Sequence, residues 1–338
     1  MPNMREIAKL AGVSVWTVSM ALRDHPGVSD ETRKRVKAIA EEYHYLPNRL
    51  SQGTISGCSG LLGYITHRDI SPGYTNILQG ALYQAYLEGF HMLVLQTSKE
   101  DASHIAHAVR DLLELRVEGI AIVSSQSEPL PNELLLTIRS AGAIPVSVME
   151  TTFSTPVDRV TVDHEEAMAL QVDYLRRLGH RHFGCIMHET GQWEQHAAAL
   201  KRLLTHYGLT LCGLHRVQSA NMAEMAFEAL MASDPQPTAM IVATDLWAWP
   251  LLRRAALCGL RVPEDLSLIS VGNYYNGALF PELTTVDLLS YQTGREAISL
   301  IRRRLREGTP PAEIVPETVT IKPELVIRST CRRQAVKV

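Results

Sequence analysis

Apolar positions along the chain follow two regimes. Residues 3–43 carry them at helical spacing in three short segments. Ile7, Leu10 and Ala11 stand at i, i+3, i+4; Val18, Ala21 and Leu22 repeat the interval; Val36, Ile39, Ala40 and Tyr43 form a third stripe. Asn3, Ser14 and Ser29 precede the stripes as N-cap residues. Gly12 falls between the first two, where a residue without Cβ accepts positive φ. This pattern predicts a small three-helix head with a tight turn at 11–14. It leaves Val15, Trp16, Thr17, Ser19 and Met20 on the outer side of the second helix.

From Leu61 onward, short apolar runs alternate with helical stretches, the signature of parallel α/β units. Strands are expected at 61–65, 92–96, 119–123 and 145–149. A second set is expected at 159–162, 183–187, 239–244 and 266–271. Helices are expected at 74–88, 105–115, 165–178, 194–207, 222–231 and 291–306. Two successive sets of about four units predict two similar lobes. A Ser-, Gly- and Thr-containing stretch separates head from body.

A chain of 338 residues is long enough for about two to three domains. Net charge is −3, but residues 1–57 carry eight Lys and Arg against six Asp and Glu. The head is thus mildly basic, with Arg33, Lys34, Arg35 and Lys37 clustered. Five scattered cysteines with no C-x-x-C read as reduced thiols, and no leader-like or spanning apolar run occurs, so a cytoplasmic protein is expected. No phosphate-cradling glycine loop, nucleophile elbow or zinc-binding helix signature is present, so no cofactor and no enzyme activity are expected. Thirteen histidines do not alter this. His180 and His182 flank a helix-to-strand turn, His104 and His107 lie on a solvated face, and no metal site is expected.

The head sequence REIAKLAGVSVWTVSMALRDHPGVSDETRKRVKAIAEEYHYLPNR resembles the DNA-binding head of the LacI/GalR repressor family. The matches include Ala8, Ala11-Gly12-Val13-Ser14, Thr17-Val18-Ser19, Val28-Ser29, Thr32-Arg33, Val36, Tyr45 and Pro47-Asn48. The body is similar to the same family at RRLGHRHFGCI (176–186), PTAMIVATD (237–245), GLRVPEDLSLI (259–269) and PELTTV (281–286). The resemblance implies an all-α helix-turn-helix head and an α/β body of two Rossmann-like lobes, like a periplasmic sugar-binding protein. Its boundaries would be a head at 1–46, a hinge at 47–59 and a body at 60–338. The N-lobe would comprise about 60–157 and 291–320, the C-lobe about 160–288 and 322–332. Crossovers are expected near 153–162, 288–292 and 320–323.

The resemblance also implies partners: a double-stranded, near-palindromic operator, a second copy of the chain, and a small-molecule effector in the interlobe cleft. The second helix would enter the major groove. Val15, Trp16 and Met20 would then approach base edges, and Ser14, Thr17, Ser19, Thr32 and Asn48 phosphates. Asn3, Ser29, Arg33 and Arg49 complete the expected DNA-facing set. Met20 stands where the family commonly has an arginine, giving an apolar reading face suited to thymine methyls and an A·T-rich half-site. Thr54, flanked by Gly53 and Gly57, stands where the family's hinge leucine wedges into the minor groove. The hinge is either folded, with Leu50 or Ile55 as wedge, or a plain linker.

Carried over position by position, the effector set is Tyr74, Asp163, Trp193, His196, Asp245 and Asn273. His196 replaces a family arginine, and Gly272-Asn273 replaces part of an acidic segment in a short loop, so a sugar or glycoside suits this cleft better than a strong anion. Trp247 and Trp249 read as core or interface rather than pocket. The leading function is a ligand-responsive transcriptional regulator. A binding protein without DNA activity is disfavoured by the head, and an α/β enzyme by the lack of a nucleophile–base–orienter arrangement.

Overall fold

The computed structural model describes residues 3–22, 24–45, 58–67, 71–97, 102–123, 129–149, 151–188, 193–275 and 281–334. The chain divides into two compact units, Met1–Gly60 and Leu61–Val338.

The first unit holds α1 (Met4–Ala11), α2 (Val15–Leu22) and α3 (Asp30–Glu42). Asn3 and Glu6 form a reciprocal capping box that begins α1. Gly12 ends it at φ 65°, the left-handed cap that lets the chain turn within two residues. Ile7, Ala8, Ala11, Val18, Ala21, Val28 and Val36 close into one small core. α2 packs against both α1 and α3, so it buries a wider arc than one stripe.

The second unit contains two sheets. Strands β1 (Leu61–His67), β2 (His91–Thr97), β3 (Gly119–Val123), β4 (Ile144–Val148), β5 (Asp158–Val162) and β11 (Thr318–Ile321) form the first, in the order β11-β5-β4-β3-β1-β2. The second, in the order β12-β10-β9-β8-β6-β7, comprises β6 (His182–His188), β7 (Thr210–Val217), β8 (Ala239–Val242), β9 (Ser267–Val271), β10 (Thr285–Asp287) and β12 (Glu324–Val326). Neighbouring strands run parallel except β10 and β12. Central β3 and β8 are buried along their whole length, as parallel strands covered on both faces must be.

Helices α4 (Pro72–Leu87), α5 (Ala102–Glu114), α6 (Asn132–Ser140) and α11 (Ser290–Glu307) cover the first sheet. Helices α7 (His164–Arg177), α8 (Trp193–His206), α9 (Ala220–Met231) and α10 (Asp245–Leu257) cover the second. Each face of each sheet has its own apolar cluster. A fully buried Leu or Ile in such a cluster contributes about 1.5–3 kcal/mol.

One strand departs from expectation. Residues 159–162 were expected in the second set, opening the C-lobe; β5 instead lies in the first sheet, between β4 and β11. The chain therefore crosses at Asp163, between β5 and α7, and again at β10–α11 and β11–β12. The edge is secured by Asp158, whose carboxylate takes a two-pronged bond from Arg304 at 2.8 and 2.9 Å and a third from the Glu317 amide. Burial is matched there by bidentate pairing.

Close packing of α4 on α11 depends on two glycines. A β-carbon on Gly80 would stand 1.9 Å from the Tyr291 carbonyl oxygen, and one on Gly294 1.9 Å from the Ile77 carbonyl oxygen. The two backbones meet directly, which fixes the helix pair that carries the N-lobe side of the cleft.

Candidate nucleic-acid interface and effector cleft

In the head, Ser14 Oγ caps α2 by accepting from the Thr17 amide at 3.0 Å and lies 2.8 Å from Thr17 Oγ1. Ser29 Oγ caps α3 through the Thr32 amide and donates to Thr32 Oγ1. Both helix starts thus present ordered hydroxyls, suited to phosphate oxygens. Val15 is 37% and Trp16 57% exposed at the start of α2. The indole therefore lies open on the outer side of α2 rather than in the head's small core.

Three expected DNA contacts are placed differently. Ser19 is 3% exposed, because α2 is flanked on both sides and its burial arc reaches that position. Met20 is half-buried and packs on the head core, so the open apolar face is Val15 and Trp16. Arg33 is turned inward to the loop before α3. It donates to the His25 and Val28 carbonyls at 3.2 and 2.9 Å and to Asp30 at 2.5 Å. The exposed cations on α3 include Lys34 and Arg35, while Lys37 binds Asp24 at 2.6 Å and holds that carboxyl below its usual range. Asn48, Arg49 and Thr54 lie outside the described residues.

In the body, the C-terminal ends of the second sheet's strands bring together His188 at the end of β6, Asp245 after β8, Asn273 and Tyr274 after β9, and Asp287 in β10. Asp163 and His164 join them at the first crossover, and His196 from the first turn of α8. Open α/β sheets place ligands at this edge. The His164 and His196 rings are 5.4 Å apart, and His188 stacks on Trp247 at 5.0 Å with only 3° between planes. Trp247 itself is 6% exposed and belongs to the C-lobe core. Tyr74, in α4, packs on the N-lobe core while half-buried. Trp193 begins α8.

Two of the expected effector ligands are committed within their own lobe. Asp245 is 2% exposed; it accepts from Ser270 Oγ, from Thr285 Oγ1 at 2.8 Å and from the Tyr274 amide at 3.0 Å. The start of α10 is capped by its neighbour Thr244. Asn273 bridges Asp287 at 2.8 Å and Arg328 at 2.7 Å. Asp163 caps α7 through Oδ1, at 2.9 Å from the Glu166 amide, and retains its second oxygen at the crossover. Sequence reasoning overlooked the stacked His188 and the half-buried His164. The signal for His188 was its place directly after the strand expected at 183–187, at the C-terminal end of the observed strand.

Burial holds the His164 and His180 imidazoles below the usual histidine value near 6.5. Each holds its neutral form to lower pH in the folded chain than in the unfolded chain, which takes up protons first as pH falls. Stability is therefore lost as pH drops through about 6.5 toward the lower folded-state values. We expect a lower urea midpoint at pH 5.5 than at 7.5, and a smaller drop in the His164→Gln, His180→Gln double variant. An equal drop in both would remove these two rings from the account.

The family described as bacterial regulatory proteins, lacI family, matches residues 3–48, and the periplasmic binding protein-like domain matches 172–331. The two occur in tandem and together span more than half of the chain. This chain belongs to the LacI family. It is a DNA-binding transcriptional regulator, and relatives similar to it carry that description. The HTH-type transcriptional repressor PurR of Aliivibrio salmonicida is 26% identical over 337 residues, covering 95% of this chain and 98% of that protein. The uncharacterized HTH-type transcriptional regulator YkvZ of Bacillus subtilis is 26% identical over 315 residues, covering 92% and 95%. Among solved structures, the Lac repressor dimer bound to operator and the anti-inducer ONPF superposes with a TM-score of 0.82 at 24% identity, covering 98% of this chain and 99% of that one. The LacI-family fold is thereby shown for head and body alike. Among the described residues no helix is long and apolar enough to cross a membrane, and no group of three metal-binding side chains gathers.

Proposed function

We propose that this LacI-family regulator represses transcription in the cytoplasm by holding a near-palindromic operator as a homodimer, under control of a sugar or glycoside in the interlobe cleft. The observation that carries this reading is the exposed Val15–Trp16 face at the capped start of α2, joined in one chain to a two-lobed body. One short helix reads only a few base pairs, so useful specificity requires two half-sites and a two-fold protein. Exposed Leu82, Tyr83, Tyr86 and Leu87 on α4, Met222 and Met225 on α9 and Leu257 on α10 supply apolar surface for a second copy. Ring-bearing side chains at the cleft edge suit a ligand with a face to stack, and solved relatives of like fold hold cellobiose and ribose. Asp163, Trp193, His196 and Tyr74 remain the candidates for effector contact, with His188 added. A hinge contribution from Asn48, Arg49 and Thr54 belongs to the same proposal.

Selection of bound duplexes from random DNA by the full chain tests the reading. We expect a palindrome whose contacted segments under α2 are A·T-rich, because the open face there has no hydrogen-bond donor array. Trp16→Ala changes base preference and leaves the salt slope nearly as it was. Lys34→Ala and Arg35→Ala each flatten the slope by about one unit without changing preference. A G·C-rich core under the helix refutes the apolar readout; no saturable binding to any duplex refutes repression.

A further inference from the structure

The turn after β9 reaches across the seam between the two lobes of the body. Gly272 takes φ 136° and Asn273 φ 54°, so the chain reverses as soon as the strand ends. Three bonds pin this turn to the C-lobe: the Tyr274 amide to Asp245, Asn273 to Asp287, and Arg328 to Asn273. Held this way, the Tyr274 ring lies between two glycines. A β-carbon on Gly272 would stand 2.6 Å from ring atoms Cε2 and Cζ. One on Gly73 would stand 3.0 Å from Tyr274 Oη and 3.3 Å from Cε1. Gly272 follows a C-lobe strand, whereas Gly73 lies in the first turn of α4, on the N-lobe. Both glycines are buried.

We propose that Tyr274 is an interlobe clasp, a positioning residue that sets the lobe separation at which the cleft takes up its effector. The inference rests on the reading of the cleft as the effector site. A ring anchored in one lobe and lying against backbone of the other keeps its contact only at one separation. Packed surfaces of this kind are bistable rather than elastic. Swinging the lobes apart lifts the ring off Gly73 as a unit. The Asp245 bond makes the clasp sensitive to the strand ends that line the cleft, so a ligand bound there bears on the turn that carries the ring. Glycine at 73 is the N-lobe's half of the device: any side chain there meets the ring.

Hydrogen–deuterium exchange on the full chain tests this with Tyr274→Ala, Gly73→Ala and the double variant. Each single change is expected to raise exchange in segments 71–80 and 271–275 by about tenfold, since an aromatic contact governs the opening equilibrium. The double variant is expected to go no further than the larger single, because both act on one contact. Exchange in α9 and in β8 stays at the wild-type rate. Unchanged exchange at the seam, additive effects in the double variant, or a rise spread equally through β8 and β9 overturns the proposal. Should Tyr274→Ala fail to fold, Gly73→Ala decides the matter alone, since alanine is a good helix former. No DNA enters the readout, so failure of operator binding and failure of the clasp are separate results.

Discussion

Alanine at Gly294 or Gly80 is expected to deprive the body of a stable N-lobe. In an ordinary helix interior, glycine to alanine stabilises by about 1 kcal/mol, because the unfolded chain loses freedom and the helix gains a better former. Here the sign reverses. The added methyl on Gly80 meets the Tyr291 carbonyl oxygen, and that on Gly294 meets the Ile77 carbonyl oxygen and, at 2.8 Å, the Ala81 amide nitrogen. None of these atoms can rotate away as a side chain does. Relief requires the two helices to separate, and with them goes the packing of Ile77, Ala81, Ala297, Ile298 and Ile301 on the first sheet. The loss exceeds about 3 kcal/mol, beyond ordinary overpacking of a core. Thermal unfolding followed by circular dichroism reads it. Variants that melt at or above the wild type would show that the helices can part cheaply.

Asp245→Ala is expected to cost about 3 kcal/mol or more, measured as a lowered urea midpoint. The substitution strands three donors, the hydroxyls of Ser270 and Thr285 and the Tyr274 amide, in a buried site. An unsatisfied buried donor costs about 1–3 kcal/mol. Asp245→Asn keeps one acceptor oxygen but turns an amide N–H₂ toward at least one of those donors, so it falls between the two. The discriminating point is that a residue serving only as an effector ligand would lose affinity on the change to Asn and keep its stability. Wild-type stability in both variants would return Asp245 to that simpler role.

How far the chain could be read in advance follows from the range of the interactions involved. Local signals placed most elements within a few residues: β3 at Gly119–Val123, α7 at His164–Arg177 and the caps at Asn3 and Ser29. Asp158–Val162 shows where local signals end. Its apolar alternation announces a strand, but its sheet is chosen by pairing with Thr318–Ile321, more than 150 residues away. β7 was not anticipated because its side chains are mostly half-buried at a sheet edge, with no clean alternation. Ser19 and Arg33 were misplaced for a related reason. Their environments come from a second neighbouring helix and from loop carbonyls, neither visible in a single-helix stripe. At the cleft, residue types at strand ends were legible. Which oxygens already had donors was not, since Thr285 lies forty residues from Asp245.

The three crossings between the sheets bear on the order in which the parts come into being. The first sheet is completed by β11 and covered by α11, both from residues 290–321, after every element of the C-lobe except β12 has been made. Neither lobe is a contiguous stretch of chain. During synthesis the sensing body must wait for its last segments, whereas the three helices of the head are complete within residues 3–45. The reader of DNA emerges long before the part that governs it. Chains interrupted late in the body therefore carry α1, α2 and α3 of the head without a finished sensor, a class of product to look for as ligand-insensitive, weakly binding protein.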